Sequence, residues 1–296
     1  MKDQGPKPKT QKVEVERDRF LTWAERTPVI RERILKSIHR AGSGHPGSSL
    51  SLVEILYALL GEGGVMTHSP ESIQGNDRDR LVLSKGHGVP ALYAVLVDGG
   101  YGIDEDELMS LRKLGSRLQG HPDRARLPIL EASTGSLGQG ASIALGMAQG
   151  YRLDDNPHRI YAIVGDGEIQ EGQIWEAALS APHHKLGHLT LILDFNKGQI
   201  DGPVEEVLSL SPLREKWHSF GWHVHEVDGH SYEELVQALE DTHPEKPSFI
   251  IAHTIKGKGV DFMEGQIDWH GKAPNDEQLE RALKEIRQNH TIGLAP

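Results

Sequence analysis

Two apolar runs each end on an oxygen-bearing side chain. RIYAIV stops at Gly165-Asp166-Gly167, and thirty residues beyond Asp166 the run LTLILDFN ends on Asn196. A parallel sheet gathers the carboxyl ends of its strands at one edge, so Asp166 and Asn196 are expected to converge there on a hard cation. Carboxylate, amide and main-chain oxygens suit Mg²⁺ or Ca²⁺. Mg²⁺ usually leaves part of its octahedron to water and phosphate, so a site with two or three protein ligands points to a bound diphosphate.

Four histidines form a second constellation. His45, His87, His121 and His270 sit in the loops SGHPG, KGHG, QGHPD and DWHGKAP. Core histidines normally lie within apolar periodic runs, so four loop placements favour a polar cleft, although any one of them singly reads more readily as surface. His184 and His188 have the helical spacing of metal ligands, and His223 and His225 share a strand face. Without a cysteine or carboxylate partner nearby, both pairs read as solvated. Glu168 and Glu171 follow Asp166 directly, either to contact a cofactor or because a helix N-terminus favours carboxylates. The turn Thr134-Gly135-Ser136-Leu137-Gly138-Gln139-Gly140 offers bare amides to a phosphate or polar ring, or is a tight turn and no more. Gly42-Ser43-Gly44-His45-Pro46-Gly47 matches the dinucleotide fingerprint G-x-G-x-x-G in letters only. A helix rather than a strand precedes it and Pro46 sits inside it.

These residues need a scaffold, and the chain alternates strands with helices. A helix is expected to begin at Thr27-Pro28 and stop at Gly42, and another to run from Ser48-Ser49 to Leu60. LVLS at 81–84 reads as a short buried strand, and Asp104 with Glu107 as a capping box for a helix to Leu114. Gly138 to Tyr151 is a helix packed closely on the sheet. Ser211-Pro212 opens a further helix, Trp222 to Val227 is a strand, Ser231 with Glu234 caps a helix, and SFIIAHT at 248–254 is the last strand. The fold class is therefore α/β, a doubly wound, mostly parallel sheet with helices on both faces. Residues 1–16 are polar and Lys-rich and read as a flexible amino-terminal arm, with a single domain over 17–296.

Composition narrows the function. The 296 residues include no cysteine, which excludes disulfides, thiolate metal sites and cysteine nucleophiles. A net charge of −11 disfavours a nucleic-acid surface. The charged amino terminus and the lack of a long apolar run give no membrane span, and a soluble cytoplasmic protein is expected.

SGHPG, RDRLVLSKGHG, QGHPD, TGSLGQG, GDGEIQEGQIWEAALSA, DFNKGQIDG, GWHVHEVDGH, TIKGKGVDFME and WHGKAPN occur here in the order found in transketolases. The chain resembles the amino-terminal, diphosphate-binding half of that family over roughly residues 25–280. It stops where the pyrimidine-binding half would begin, as in transketolases split into two subunits. The resemblance implies thiamin diphosphate, with Mg²⁺ (or Ca²⁺ or Mn²⁺) held by Asp166, Asn196 and the main-chain carbonyl of Gly198. It places His87, His270, Gly167, Glu168 and Asn196 at the cofactor, and Gly135, Ser136 and Leu137 near its aminopyrimidine. His45, His121 and His270 would be catalytic, the first two facing the sugar.

The implied reaction moves a two-carbon ketol unit from a ketose phosphate to an aldose phosphate. The family carries its cofactor-activating glutamate on the other half, so the resemblance implies a carboxy-terminal partner subunit in an α2β2 assembly and no activity without it. Ser136 stands where the family commonly has proline, Ser48-Ser49 where a small residue and proline are common, and Phe195 and Lys197-Gly198-Gln199 flank the metal-binding Asn in place of the usual residues. Two other readings share part of the pattern. One is a subunit of another thiamin diphosphate enzyme, such as a deoxyxylulose-phosphate synthase-like protein, against which SGHPG and WHGKAP argue. The other is a noncatalytic scaffold, against which the retained histidines, Asp166 and Asn196 argue.

Overall fold

A computed structural model describes residues 9–293 except residue 74, with side chains over 16–289. Five parallel strands form the central sheet: β1 (Arg80–Leu83), β2 (Ile160–Gly165), β3 (Leu189–Phe195), β6 (His223–Asp228) and β7 (Ser248–His253), in the order β1-β2-β3-β7-β6. A two-stranded hairpin, β4 (Gly198–Gln199) with β5 (Gly202–Pro203), follows β3.

Helices cover both faces, because side chains alternate along each strand and both sets are apolar. Tyr161 and Ile163 of β2 and Ile250 and Ala252 of β7 face one core, shared with Trp23, Ile30 and Ile34 of the helix Lys9–Ala41. Ile160, Ala162 and Val164, with Phe249 and Ile251, face a second core containing Ala141, Ala144 and Ala148 of the helix Gln139–Leu153. The small alanines let that helix lie close to the sheet. Trp217 stacks on Phe249 at a centroid distance of 3.6 Å and meets Trp222 edge-on, closing this core at its far end.

Local expectations are corrected at three points. The first helix does not begin at Thr27-Pro28 but runs unbroken from Lys9 to Ala41 with Pro28 inside it. Trp23, Thr27, Ile30, Ile34 and Ile38 form one buried stripe across the proline, and the Thr27 hydroxyl donates to the Trp23 carbonyl at 3.0 Å. Burial of that stripe outweighs the roughly 3 kcal/mol that an interior proline costs. Of the arm expected over residues 1–16, residues 1–8 lie outside the described residues, and helix begins at Lys9.

The single helix expected from Ser48 to Leu60 is two, Pro46–Leu50 and Val53–Leu60. They meet at Ser51, whose hydroxyl donates to Asp194 Oδ2 at 2.7 Å. The helix after Asp104 ends at Leu108 instead of Leu114. Asp104 caps it by accepting from the Glu107 amide at 2.7 Å, but the Glu107 carboxylate turns to Arg117. Among the described residues no helix is long and apolar enough to cross a membrane.

Candidate active site

The register of β2 and β3 pairs Gly165 with Asp194, so the chain leaves both strands at one level and brings Asp166 and Asn196 to the same mouth of the sheet. Asp166 is 3% exposed; its Oδ1 accepts the Gly167 amide at 2.9 Å, and its Oδ2 is buried with no hydrogen-bond partner. Asn196 Oδ1 accepts the Gly198 amide at 3.3 Å and its Nδ2 donates to Asp194 Oδ2 at 3.3 Å. The Gly198 carbonyl, fixed where the β4–β5 hairpin begins, accepts from Lys256 Nζ at 3.3 Å.

Asp166, Asn196 and Gly198 line one cavity of about 290 Å³ together with Gly167, His87 and His270. Burial first, and the Asp194 charge next, push the Asp166 carboxyl up to about 6. An all-oxygen donor set around a buried carboxylate with an unused lone-pair oxygen fits a hard divalent cation and the phosphate oxygens it would bind.

The four loop histidines come together beside this cavity. His45 lies at the centre, with ring centroids 5.1 Å from His87, 6.2 Å from His121 and 5.5 Å from His270; His87 and His270 are 5.2 Å apart. Desolvation leads the shift in every ring. It lowers His45 to about 4, aided by Arg112, and His270 to about 3, aided by Lys256; it also lowers His121 and holds His87 well below the ordinary value. All four are therefore neutral at physiological pH and do not repel one another.

Two tautomers follow from their neighbours. Arg112 Nη2 faces His45 Nδ1 at 3.5 Å, and Lys256 Nζ faces His270 Nδ1 at 3.4 Å. A cation can only donate, so each Nδ1 accepts and each Nε2 keeps the proton, ready to give a hydrogen bond.

The glycine-rich turn stands against this cluster. Gly135, at φ +144°, lies so close to His121 that a Cβ there would meet the ring at 2.9 Å. Leu137 lines the cavity, while Ser136 is exposed and does not line it. Glu168 also lines the cavity, but its carboxylate is occupied by the protein. Oε1 accepts from Ser84 Oγ and from the Gly138 amide at 2.8 Å, and Oε2 from the Gly165 amide at 3.0 Å. In this arrangement Glu168 braces the turn against the end of β2.

Sequence reasoning missed three buried polar groups at this site. Lys85 is 1% exposed and its ammonium is paired with the fully buried Asp194, which also accepts from Ser51 and Thr254. Lys256, also 1% exposed, reaches the Gly198 carbonyl and His270; burial, and then the Lys85 charge, lower it to about 8. Ser48, Lys85 and His87 line the same cavity as Asp166. The Asp194→Ala variant strands the Lys85 charge in the interior and is expected to lose about 3–5 kcal/mol of stability by chemical denaturation, with Asp194→Glu losing less.

The pair His184 and His188 does not form a site: His184 is exposed, and His188 Nε2 donates to the Ala148 carbonyl at 2.8 Å.

These features define the class. The family model described as "Transketolase, thiamine diphosphate binding domain" matches residues 24–291, and the chain belongs to the transketolase family. Within that family it corresponds to the amino-terminal, thiamin diphosphate-binding part, and its sheet is the thiamin diphosphate-binding fold. It is 45% identical over 262 residues to the 6-deoxy-6-sulfo-D-fructose transketolase subunit of Clostridium sp. (strain MSTE9), covering 88% of this chain and 94% of that subunit. It is 40% identical to an apulose-4-phosphate transketolase subunit of Phocaeicola vulgatus, covering 87% of this chain and 91% of that one.

Against the transketolase of Homo sapiens, 41% identical, the match covers 83% of this chain and 39% of that protein. The crystal structure of transketolase from Campylobacter jejuni superposes with a TM-score of 0.84 at 32% identity, over 92% of this chain and 45% of that one. The chain thus spans nearly all of the separate subunits and less than half of the single-chain enzymes.

Proposed function

We propose that the chain is the amino-terminal subunit of a two-subunit transketolase, which transfers a two-carbon ketol group from a ketose phosphate to an aldose phosphate with thiamin diphosphate and Mg²⁺. It works with a carboxy-terminal, pyrimidine-binding subunit in an α2β2 assembly. The observation that carries this reading is the buried, unpartnered Asp166 Oδ2 facing the same cavity as Asn196 and the Gly198 carbonyl, with four neutral histidines beside it. The two relatives matched over almost their whole length are both named as subunits. Their named sugars, one sulfonated and one phosphorylated, are both anionic, and anionic ketoses are the donor class to screen.

Thiamin diphosphate, when bound, supplies the electron sink that stabilises the two-carbon carbanion. The chain's own residues bind and orient. Asp166, Asn196 and the Gly198 carbonyl hold the cation, and Lys85, His87, Lys256 and His270 meet the diphosphate with donors. His45 and His121 meet the sugar; His45 Nε2–H gives a hydrogen bond to a hydroxyl or developing oxyanion where it is worth most, in a dry site. Leu137 and Ile200, both exposed at the cavity rim, provide an apolar seat for the partner that excludes water from the reacting atoms. Activity of the isolated chain against that of the reconstituted pair tests the reading.

A further inference from the structure

The strand-face histidines set aside for want of a carboxylate acquire one in three dimensions. His223 and His225 are alternate residues of β6, the edge strand of the sheet, and so project to the same side. Asp241, which ends the helix Tyr232–Glu240, is brought back over them by the crossover to β7. His223 Nε2 lies 3.4 Å and His225 Nε2 4.0 Å from Asp241 Oδ2, and the three ligand atoms all fall within 4.8 Å of one another. The two rings stand at 89° with centroids 4.4 Å apart.

We propose that His223, His225 and Asp241 bind one borderline divalent cation of the Zn²⁺ class, clipping the edge strand β6 to the segment between the helix Tyr232–Glu240 and β7. Metal–ligand bonds of about 2.0–2.1 Å in tetrahedral geometry put neighbouring donor atoms about 3.4 Å apart. The His223–Asp241 separation already equals that value, and the others need small side-chain rotations. His223 Nε2 is shielded from solvent and makes no hydrogen bond although the carboxylate is so near. That distance without alignment suits a cation between them better than a proton. Two imidazoles and one carboxylate match Zn²⁺, Co²⁺ or Ni²⁺ rather than Mg²⁺.

The remaining groups are consistent with this role. His225 Nε2 donates to the Asp241 main-chain carbonyl at 3.1 Å. On binding, its proton moves to Nδ1, leaving the Nε2 lone pair for the metal with no net proton released. Burial, and then His223, lower the His225 value. His243, 6.4 Å from His223 between centroids, accepts the Glu245 and Lys246 amides at Nδ1. Its Nε2 therefore carries the proton and serves as a donor to a metal-bound water instead of a ligand. The fourth position is open to that water. Pinning β6 also guards a strand whose outer edge has no neighbour in the sheet among the described residues.

The test is Co²⁺ titration of the full-length, tag-free chain in excess Mg²⁺, read by visible absorption and equilibrium dialysis. One equivalent of Co²⁺ with tetrahedral bands is expected, displaced by Zn²⁺, lost in His225→Ala and in Asp241→Ala, and kept in Asp166→Ala. Asp241 is 67% exposed, so its replacement leaves folding intact, which circular dichroism checks. No uptake by the native chain, or uptake unchanged by Asp241→Ala, overturns the proposal. Loss of uptake in Asp166→Ala alone assigns the cation to the diphosphate cavity and overturns it as well.

Discussion

The purified chain by itself is expected to give no detectable ketol transfer between any ketose phosphate and aldose phosphate, with turnover appearing only when the complementary subunit is added or coexpressed. The expectation follows from what the cavity contains and what it lacks. In the proposed reading its donors would hold a cation and a diphosphate, and its histidines would face a sugar. The carboxylate that family resemblance assigns to cofactor activation belongs to the other half. Loss of one positioned acid–base group costs about 10²–10⁴ in rate, which is the scale of the expected deficit. Leu137 and Ile200 are exposed at the rim of the cavity, where the proposed partner would cover them. Robust turnover by the isolated chain would defeat the two-subunit reading while leaving the cation site untouched.

Asp166→Ala is expected to abolish Mg²⁺-dependent binding of thiamin diphosphate, to be measured by calorimetry on the assembled enzyme. Of the three ligands assigned to the cation, Asp166 alone carries charge, and a hard cation gains little from the amide and carbonyl that remain. A related variant separates function from stability. Holding Asp166 ionised in its buried position costs the bare chain roughly 3 kcal/mol at neutral pH, because its folded value of about 6 stands above the ordinary 3.8.

The sign is that of a raised carboxyl. Its favourable contribution is complete below about pH 4 and is lost as pH rises through about 6. Asp166→Asn is therefore expected to stabilise the bare chain at neutral pH while losing the cation, and in the native chain Mg²⁺ affinity should climb with pH up to about 6 and then level off. Unchanged cofactor affinity in Asp166→Ala refutes the metal assignment.

What could be read from the residues, and what could not, divides along physical lines. β2 and β3 were legible because both are continuous apolar runs stopped by Gly165 and Asn196, the pattern of strands buried on both faces. Their mouth could be inferred because parallel strands end together. The four histidines were legible through their glycine- and proline-bearing loops, and the structure gathers the other three around His45.

Lys85 and Lys256 were not legible as buried groups. A lysine in a polar loop reads as solvated, and the burial of Lys85 depends on Asp194, 109 residues away. Asp241 lies sixteen residues past His225 and meets it only through the strand–helix–strand crossover. The helix through Pro28 defeated a local rule because a long buried stripe outweighed it.

The central claim is that Asp166, Asn196 and the Gly198 carbonyl together hold the cation that carries the diphosphate. Crystals of the two-subunit complex grown with thiamin diphosphate and Mn²⁺ test it through the anomalous signal of the metal. One strong peak is predicted in the cavity, within about 2.0–2.2 Å of Asp166 Oδ2, an Asn196 side-chain oxygen and the Gly198 oxygen. A cofactor-bound Mn²⁺ elsewhere, with Asp166 Oδ2 still making no contact, would contradict it.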